Sequence, residues 1–339
     1  MDDNSILSLH AISHAISLRK FLKSSIMPII IEKLSKRSGR EWVFRDVDLE
    51  VREGEVFGIF GPNNAGKNTM LQMIAGNAEA NGGTINGAKK VTYLDTNAPA
   101  PGSLLGGLFG KRSNGTSSGR QTQIEQAIET CQGILLLNEP FAGLDSIAKS
   151  SLIEKILGAV RERNLTAIIA TADFDTVLQT CDRAAVLSDG YVRQTGTPQE
   201  LYDAPEMRAV AALTGRSNLF EARRLTSSKS DMPEFQTIDG EHRLFTQKAE
   251  LDVLGAINKN ATLAIRPEQI SISFGASFPE DNLIKAVITG TRFLGSTTVI
   301  ELDCGGLKLE ALVFRVVGLN VGDECMVGLP PDRIRVLKD

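Results

Sequence analysis

At 339 residues the chain is too long for one ordinary domain and comfortable for two, and 42% hydrophobic with 23% charged residues is the balance of a globular protein with a real core. A net charge of -4 argues against a general nucleic-acid or polyanion binder, and no apolar run is long enough to cross a bilayer, so any membrane role passes through a partner. Cys131, Cys181, Cys304 and Cys325 are scattered without metal-like spacing or close pairs, which reads as reduced core thiols of a cytosolic protein.

The first segment, Ser5–Ile26 (SILSLHAISHAISLRKFLKSSI), is apolar at roughly helical spacing, with basic residues late. It suits a targeting or membrane-surface helix, or an extension over 1–26 ahead of a start near Met27; the second reading is preferred because the first domain follows at once. His10 and His14 sit four apart, but no other ligand accompanies them. From Met27 onward, IIIEKL and FRDVDLEVREGE read as two strands, the second half exposed. Glu55–Phe60 (EVFGIF) is a buried strand running into Gly61, and a helix opens at Asn68–Ile74. Ala98–Gly119, rich in Gly, Ser and Pro, reads as flexible loop, with a short helix at Gln121–Thr130. Gly133–Pro140 and Thr166–Ala172 are all-apolar strands of the kind a parallel sheet buries on both faces, with a helix over Ile147–Arg163 between them. Ala184–Gly196 is a hairpin turning at Asp-Gly, and Thr197–Thr214 is helical. Beyond Arg216 come a Ser-rich stretch and short strands (ATLAIRP, QISIS, NLIKAVITGTRFLG, STTVIELDCGG, LKLEALVF, ECMVGL, DRIRVL), spaced as in one or two small β-barrels.

The sharpest chemical signal is GPNNAGKNT at Gly61–Thr69. Gly61, Pro62, Asn63, Asn64, Ala65, Gly66, Lys67, Asn68 and Thr69 fit G-x-x-x-x-G-K between a strand and a helix. Such a loop turns backbone N–H groups and a helix N-terminus toward phosphate oxygens, with Lys67 reaching the terminal phosphates. Asn68 stands where a hydroxyl normally ligates Mg²⁺, and Thr69 is one residue too late to replace it.

With these motifs in this order, Ile29–Thr214 resembles an ATP-binding-cassette nucleotide-binding domain. The resemblance implies an α/β P-loop fold with a mixed sheet, ATP as ligand and Mg²⁺ as its metal. ILLLNEP resembles the Walker B strand, with Glu139 as the catalytic carboxylate and Asn138 where the family carries a metal-holding Asp. FAGLD (Phe141–Asp145) matches the D-loop, and TSSGR (Thr116–Arg120) stands at the signature, keeping Ser117 and Gly119. Ala172 occupies the place of the switch histidine, Thr96 that of the Q-loop glutamine, and Ser38 that of the adenine-stacking aromatic, with Trp42 nearby. Asn68 and Asn138 are weakened metal positions; with Ala172 they imply very slow or absent hydrolysis and surviving nucleotide binding. The stretch between Thr96 and Thr116 is too short for the helical subdomain that abuts membrane subunits, so that coupling surface is reduced.

GRSNLFEARRL, LAIRPEQISIS and the strands after them resemble the TOBE-type, oligonucleotide-binding-like regulatory domain of importer ATPases. Arg266 in AIRPE reads as structural. The expectation is therefore a nucleotide-binding domain over 27–215 and a reduced helical subdomain within it, followed by an all-β OB-like/TOBE domain over 216–339. The resemblance implies the ATP-binding subunit of an importer for a small solute or oxyanion, cytoplasmic or peripheral at the inner membrane face. Its partners would be membrane permease subunits and a second chain in a homo- or heterodimer, with no nucleic acid. The alternative is a noncatalytic pseudo-ATPase acting as a regulator, ligand sensor or dimer partner.

Overall fold

The computed structural model describes residues 28–96, 117–229, 232–274, 282–314 and 318–338. Ser5–Ile26 with its two histidines, Thr116, and most of Ala98–Gly119 lie outside the described residues. No helix among the described residues is long and apolar enough to cross a membrane.

The chain opens with an antiparallel pair, β1 (Ile29–Ser38) and β2 (Glu41–Val51). Buried strand β3 (Val56–Phe60) leads through the Gly61 loop into α1 (Lys67–Ile74). β4 (Gly82–Asn86) returns to pair with β1, giving a three-stranded sheet in the order β2-β1-β4. Then follow β5 (Val91–Asp95), α2 (Ser117–Thr130), β6 (Ile134–Asn138), α3 (Ser146–Arg163) and β7 (Thr166–Thr171). After α4 (Phe174–Thr180), the hairpin of β8 (Arg183–Ser188) and β9 (Tyr191–Gly196) turns at Asp189 and Gly190, as its sequence indicates. The main sheet runs β5-β6-β7-β3-β8-β9, parallel except for β9.

Burial on both faces explains the all-apolar strands. Along β6, Leu135 and Leu137 enter a core shared with α2 and α3, whereas Ile134 and Leu136 enter one shared with β1, β2 and α1. The parallel register brings Asp95 beside Asn138 and Asn138 beside Ala170. The strands thus end level at their carboxyl ends, where open α/β sheets hold their ligands.

Two expectations need correction. Thr197–Thr214 forms two helices, α5 (Pro198–Asp203) and α6 (Arg208–Leu213). The Thr197–Glu200 capping box starts the first, and Pro205, which has no N–H and disfavours helical geometry at Ala204, ends it. Residues Ser117–Gly119, expected as loop, already belong to α2. Ile124, Ala127 and Ile128, spaced three and four apart, anchor that helix in the core, and the Arg120 guanidinium donates to the Ala142 carbonyl.

The remaining chain is the expected β-rich region. One five-stranded antiparallel sheet contains β10 (Asn218–Arg224), β11 (Glu234–Thr237) and β12 (Arg243–Phe245), followed in the chain by the short helix α7 (Leu251–Leu254) and then β13 (Asn260–Ile265). The second contains β14 (Ser271–Ser273), β15 (Asn282–Phe293), β16 (Thr297–Cys304), β17 (Leu307–Phe314) and β18 (Glu324–Leu329), and β19 (Arg335–Leu337) returns to the first beside β13. The sheets share one core, with Phe235, Leu244 and Leu263 packed with Ile288, Ile300 and Val327. DRIRVL begins with a 3₁₀ turn at Pro331–Arg333 before its strand.

Arg266 joins the two regions. Buried at 4% exposure, its guanidinium lies 4.1 Å over the Tyr202 ring. It donates to the carbonyls of Tyr202, Ala211 and Arg216 and to Thr214 Oγ1, at 2.7–3.1 Å. These contacts give Arg266 a structural role.

Candidate phosphate-binding site

The loop after β3 is shaped by glycines at two contact points. A Cβ on Gly61 would lie 2.1 Å from the Leu187 carbonyl oxygen, and one on Gly66 would lie 2.7 Å from Val43 Cγ1. Gly66 also caps α1 at φ 92, a backbone region open mainly to glycine. Asn64 adopts φ 66, which asparagine tolerates better than most side chains.

Asn63, Asn64, Gly66, Lys67, Asn68 and Thr69 line a cleft of about 420 Å³ with Val43, Asn138 and Glu139. Gly61, Pro62 and Ala65 serve it differently. The Lys67 ammonium donates to the carbonyls of Gly61 and Pro62, each at 2.9 Å, and Ala65 is buried in the core below. Lys67 is 6% exposed, and its Nζ lies 3.7 Å from Glu139 Oε1. Burial lowers its pKa, opposed by the neighbouring carboxylate.

Glu139 follows β6 at φ 46 and turns its side chain toward the end of β7. Thr171 Oγ1 donates to Oε2 at 3.1 Å, and the Ala172 N–H donates to Oε1 at 2.9 Å. Both carboxylate oxygens therefore have a donor. Ala172 contributes only its backbone. His242, the sole histidine among the described residues, bonds through Nε2 to the Cys304 carbonyl in the β-rich region, 2.5 Å away.

Asp95 lies between the two asparagines singled out in the sequence. Asn68 Nδ2 donates to Asp95 Oδ2 at 3.0 Å, and Asn138 Nδ2 donates to Oδ1 at 2.9 Å. Tyr93 Oη, whose pKa is raised by burial and by Asp95, donates to Asn68 Oδ1 at 2.6 Å. The Thr96 hydroxyl is held by the carbonyls of Asn138 and Glu139, both at 2.8 Å. Two carboxylates at the Asp95–Asn138 spacing would repel by about 6 kcal/mol at an effective dielectric of about 20; the amide makes the contact attractive. Asp95 and Tyr93 were not among the expected site residues. The available signal was the strand register, because VTYLD and ILLLN pair with Asp95 beside Asn138.

Other expected positions fall apart from the cleft. Trp42 is 40% exposed and absent from its lining, and its ring carries Arg37 at 3.9 Å and Arg45 at 5.5 Å. Ser38 pairs with Glu41 at the end of the β1–β2 hairpin. In the D-loop stretch, Phe141 is buried and Asp145 caps α3 through the Ala148 N–H.

Residues 44–190 match the family described as ABC transporter, and residues 263–337 match the TOBE domain. The chain is 24% identical to the maltose/maltodextrin import ATP-binding protein MalK of Mannheimia succiniciproducens, over 92% of this chain and 95% of that one. It is 28% identical to the Fe(3+) ions import ATP-binding protein FbpC 2 of Rhizobium meliloti, over 86% and 88%. It is also 26% identical to the sulfate/thiosulfate import ATP-binding protein CysA of Bacillus cereus, over 91% and 98%.

Proposed function

Since this chain belongs to the ATP-binding subunits of ATP-binding-cassette importers, with an ABC transporter domain ahead of a TOBE domain, we propose that it binds ATP at Gly61–Thr69 but hydrolyses it weakly or not at all. The importer would serve a small solute or oxyanion. In this reading residues 27–215 form the nucleotide-binding unit and 216–339 the regulatory TOBE-like unit. Permease subunits at the inner face of the membrane are its partners, met through a reduced coupling surface, and a second chain completes a dimer.

The observation that carries the reading is the contrast within one cleft. The glycine contacts and Lys67 retain a phosphate cradle, whereas Asn68, Asn138 and Ala172 replace groups that would support turnover. An entering phosphate would draw the Lys67 ammonium from the Gly61 and Pro62 carbonyls, exchanging neutral acceptors for charged ones. Glu139 stands at the position of the water-activating carboxylate, but its oxygens accept from Thr171 and Ala172. Ala172 offers only a methyl group, with no donor to contact a terminal phosphate. Loss of one preorganised electrostatic group commonly costs about a hundredfold or more in rate.

Magnesium is the family's metal, and the side chains at its expected positions do not suit it. Magnesium demands a near-octahedral oxygen shell. The Asn68 and Asn138 amides instead present N–H groups to Asp95, and the Asn68 oxygen accepts from Tyr93.

The doubly engaged Glu139 and the bare Ala172 also favour a second reading, a noncatalytic partner or regulator that holds the fold without turning over. Titration with ATP separates retained binding from its loss. The wild-type chain is expected to bind, and Lys67→Ala to bind at least about tenfold more weakly. A wild-type chain that binds no ATP would sink the nucleotide-binding proposal and leave the second reading.

A further inference from the structure

We infer that Asn68, Asp95 and Asn138 form a hydrogen-bonded clamp in place of a divalent cation, so that the cradle binds nucleotide phosphate independently of magnesium. The inference rests on the reading of the Gly61–Thr69 cleft as an ATP site.

An ionised carboxylate only accepts hydrogen bonds, so each amide touching Asp95 must offer its NH₂. That fixes the orientation of both asparagines: Asn68 Nδ2 lies 3.0 Å from one Asp95 oxygen and Asn138 Nδ2 lies 2.9 Å from the other. Tyr93 then donates to the remaining Asn68 oxygen at 2.6 Å. A cation bound here would have to break these contacts and turn both amides. Glu139 is no ready substitute, because Thr171 and Ala172 donate to its two oxygens. Among the described residues, no group of three or more His, Cys, Asp and Glu side chains could hold a metal ion.

The charges agree with this arrangement. The clamp keeps one carboxylate and covers each of its oxygens with an amide donor, an arrangement held together without an ion. A carboxylate at position 138 would face Asp95 directly and call for a cation between them. The amide at 138 and the carboxylate at 95 are thus a matched pair.

The test is titration of the full chain with ATP, once in excess EDTA and once in excess magnesium chloride. The two dissociation constants are expected to agree within about threefold. Binding at least about tenfold tighter in magnesium would overturn the clamp while leaving the ATP site intact. Absence of binding in both buffers would instead defeat the ATP-site reading and the clamp with it. The double variant Asn68→Ser/Asn138→Asp should acquire a preference for magnesium of at least about tenfold. If it binds ATP as indifferently to magnesium as the wild type, the clamp does not set the metal dependence and the inference fails. Should the double variant not fold, Asn138→Asp alone carries the same comparison.

Discussion

Asp95 accepts from an amide on each carboxylate oxygen, and this contact links three residues from separate elements, at the start of α1 and the ends of β5 and β6. Replacing it with alanine removes the acceptor from both amides. The expected loss is about 1–3 kcal/mol of stability, the cost of leaving polar groups poorly satisfied, read as a fall in the urea midpoint. An unchanged midpoint would mean that solvent satisfies the amides equally well. The same scale separates what sequence reading reached from what it missed. Lys67, Asn68, Asn138, Glu139 and Ala172 were legible because each sits at a fixed offset within a motif. Asp95 was not, since its role depends on which strand lies beside β5 and in what register.

At the level of elements, the loop between β3 and α1 is held by contacts that leave no room for a side chain. Gly61→Ala places a methyl 2.1 Å from the Leu187 carbonyl oxygen, and the rigid β8 backbone cannot simply move aside. Overpacking of this kind costs about 1–3 kcal/mol, and ATP binding should weaken with it; retention of wild-type affinity and stability would argue against the tight approach. Cysteine chemistry tests the packing of other elements. Burial pushes the Cys181 thiol, after α4, and the Cys304 thiol, ending β16, each up to about 12, and all four cysteines are buried. A thiol-specific reagent at about pH 8, below either value, should label the native chain slowly and the denatured chain at all four positions. Fast labelling of the native chain would contradict these placements. The all-apolar strands were legible because both faces of the central sheet are covered. The split between α5 and α6 depended on Pro205, and β11 and β12 are too short for alternation to mark them. The early start of α2 depends on packing that no local pattern within Ser117–Gly119 reveals.

Across the whole molecule, the α/β region and the β-rich region meet at Arg266, whose guanidinium donates to α5, α6 and the segment between α6 and β10. Arg266→Leu deletes these bonds and leaves buried carbonyls behind. The cost should exceed about 3 kcal/mol, since hydrogen bonds to charged groups contribute about 1.5–3 kcal/mol each. Calorimetry should then show the two regions melting in separate transitions; a single transition at the wild-type temperature would contradict this role. The division into two regions was visible in the change from alternating helices and strands to short strands beyond Arg216, but the joint was not, because its acceptors come from distant backbone. The proposed importer subunit keeps its phosphate cradle but hydrolyses ATP weakly or not at all. Phosphate release from saturating ATP and magnesium, measured for the wild type beside Glu139→Gln, tests it most directly. Release at or near the background rate is expected from both proteins. Magnesium-dependent turnover in the wild type that disappears in Glu139→Gln would contradict it.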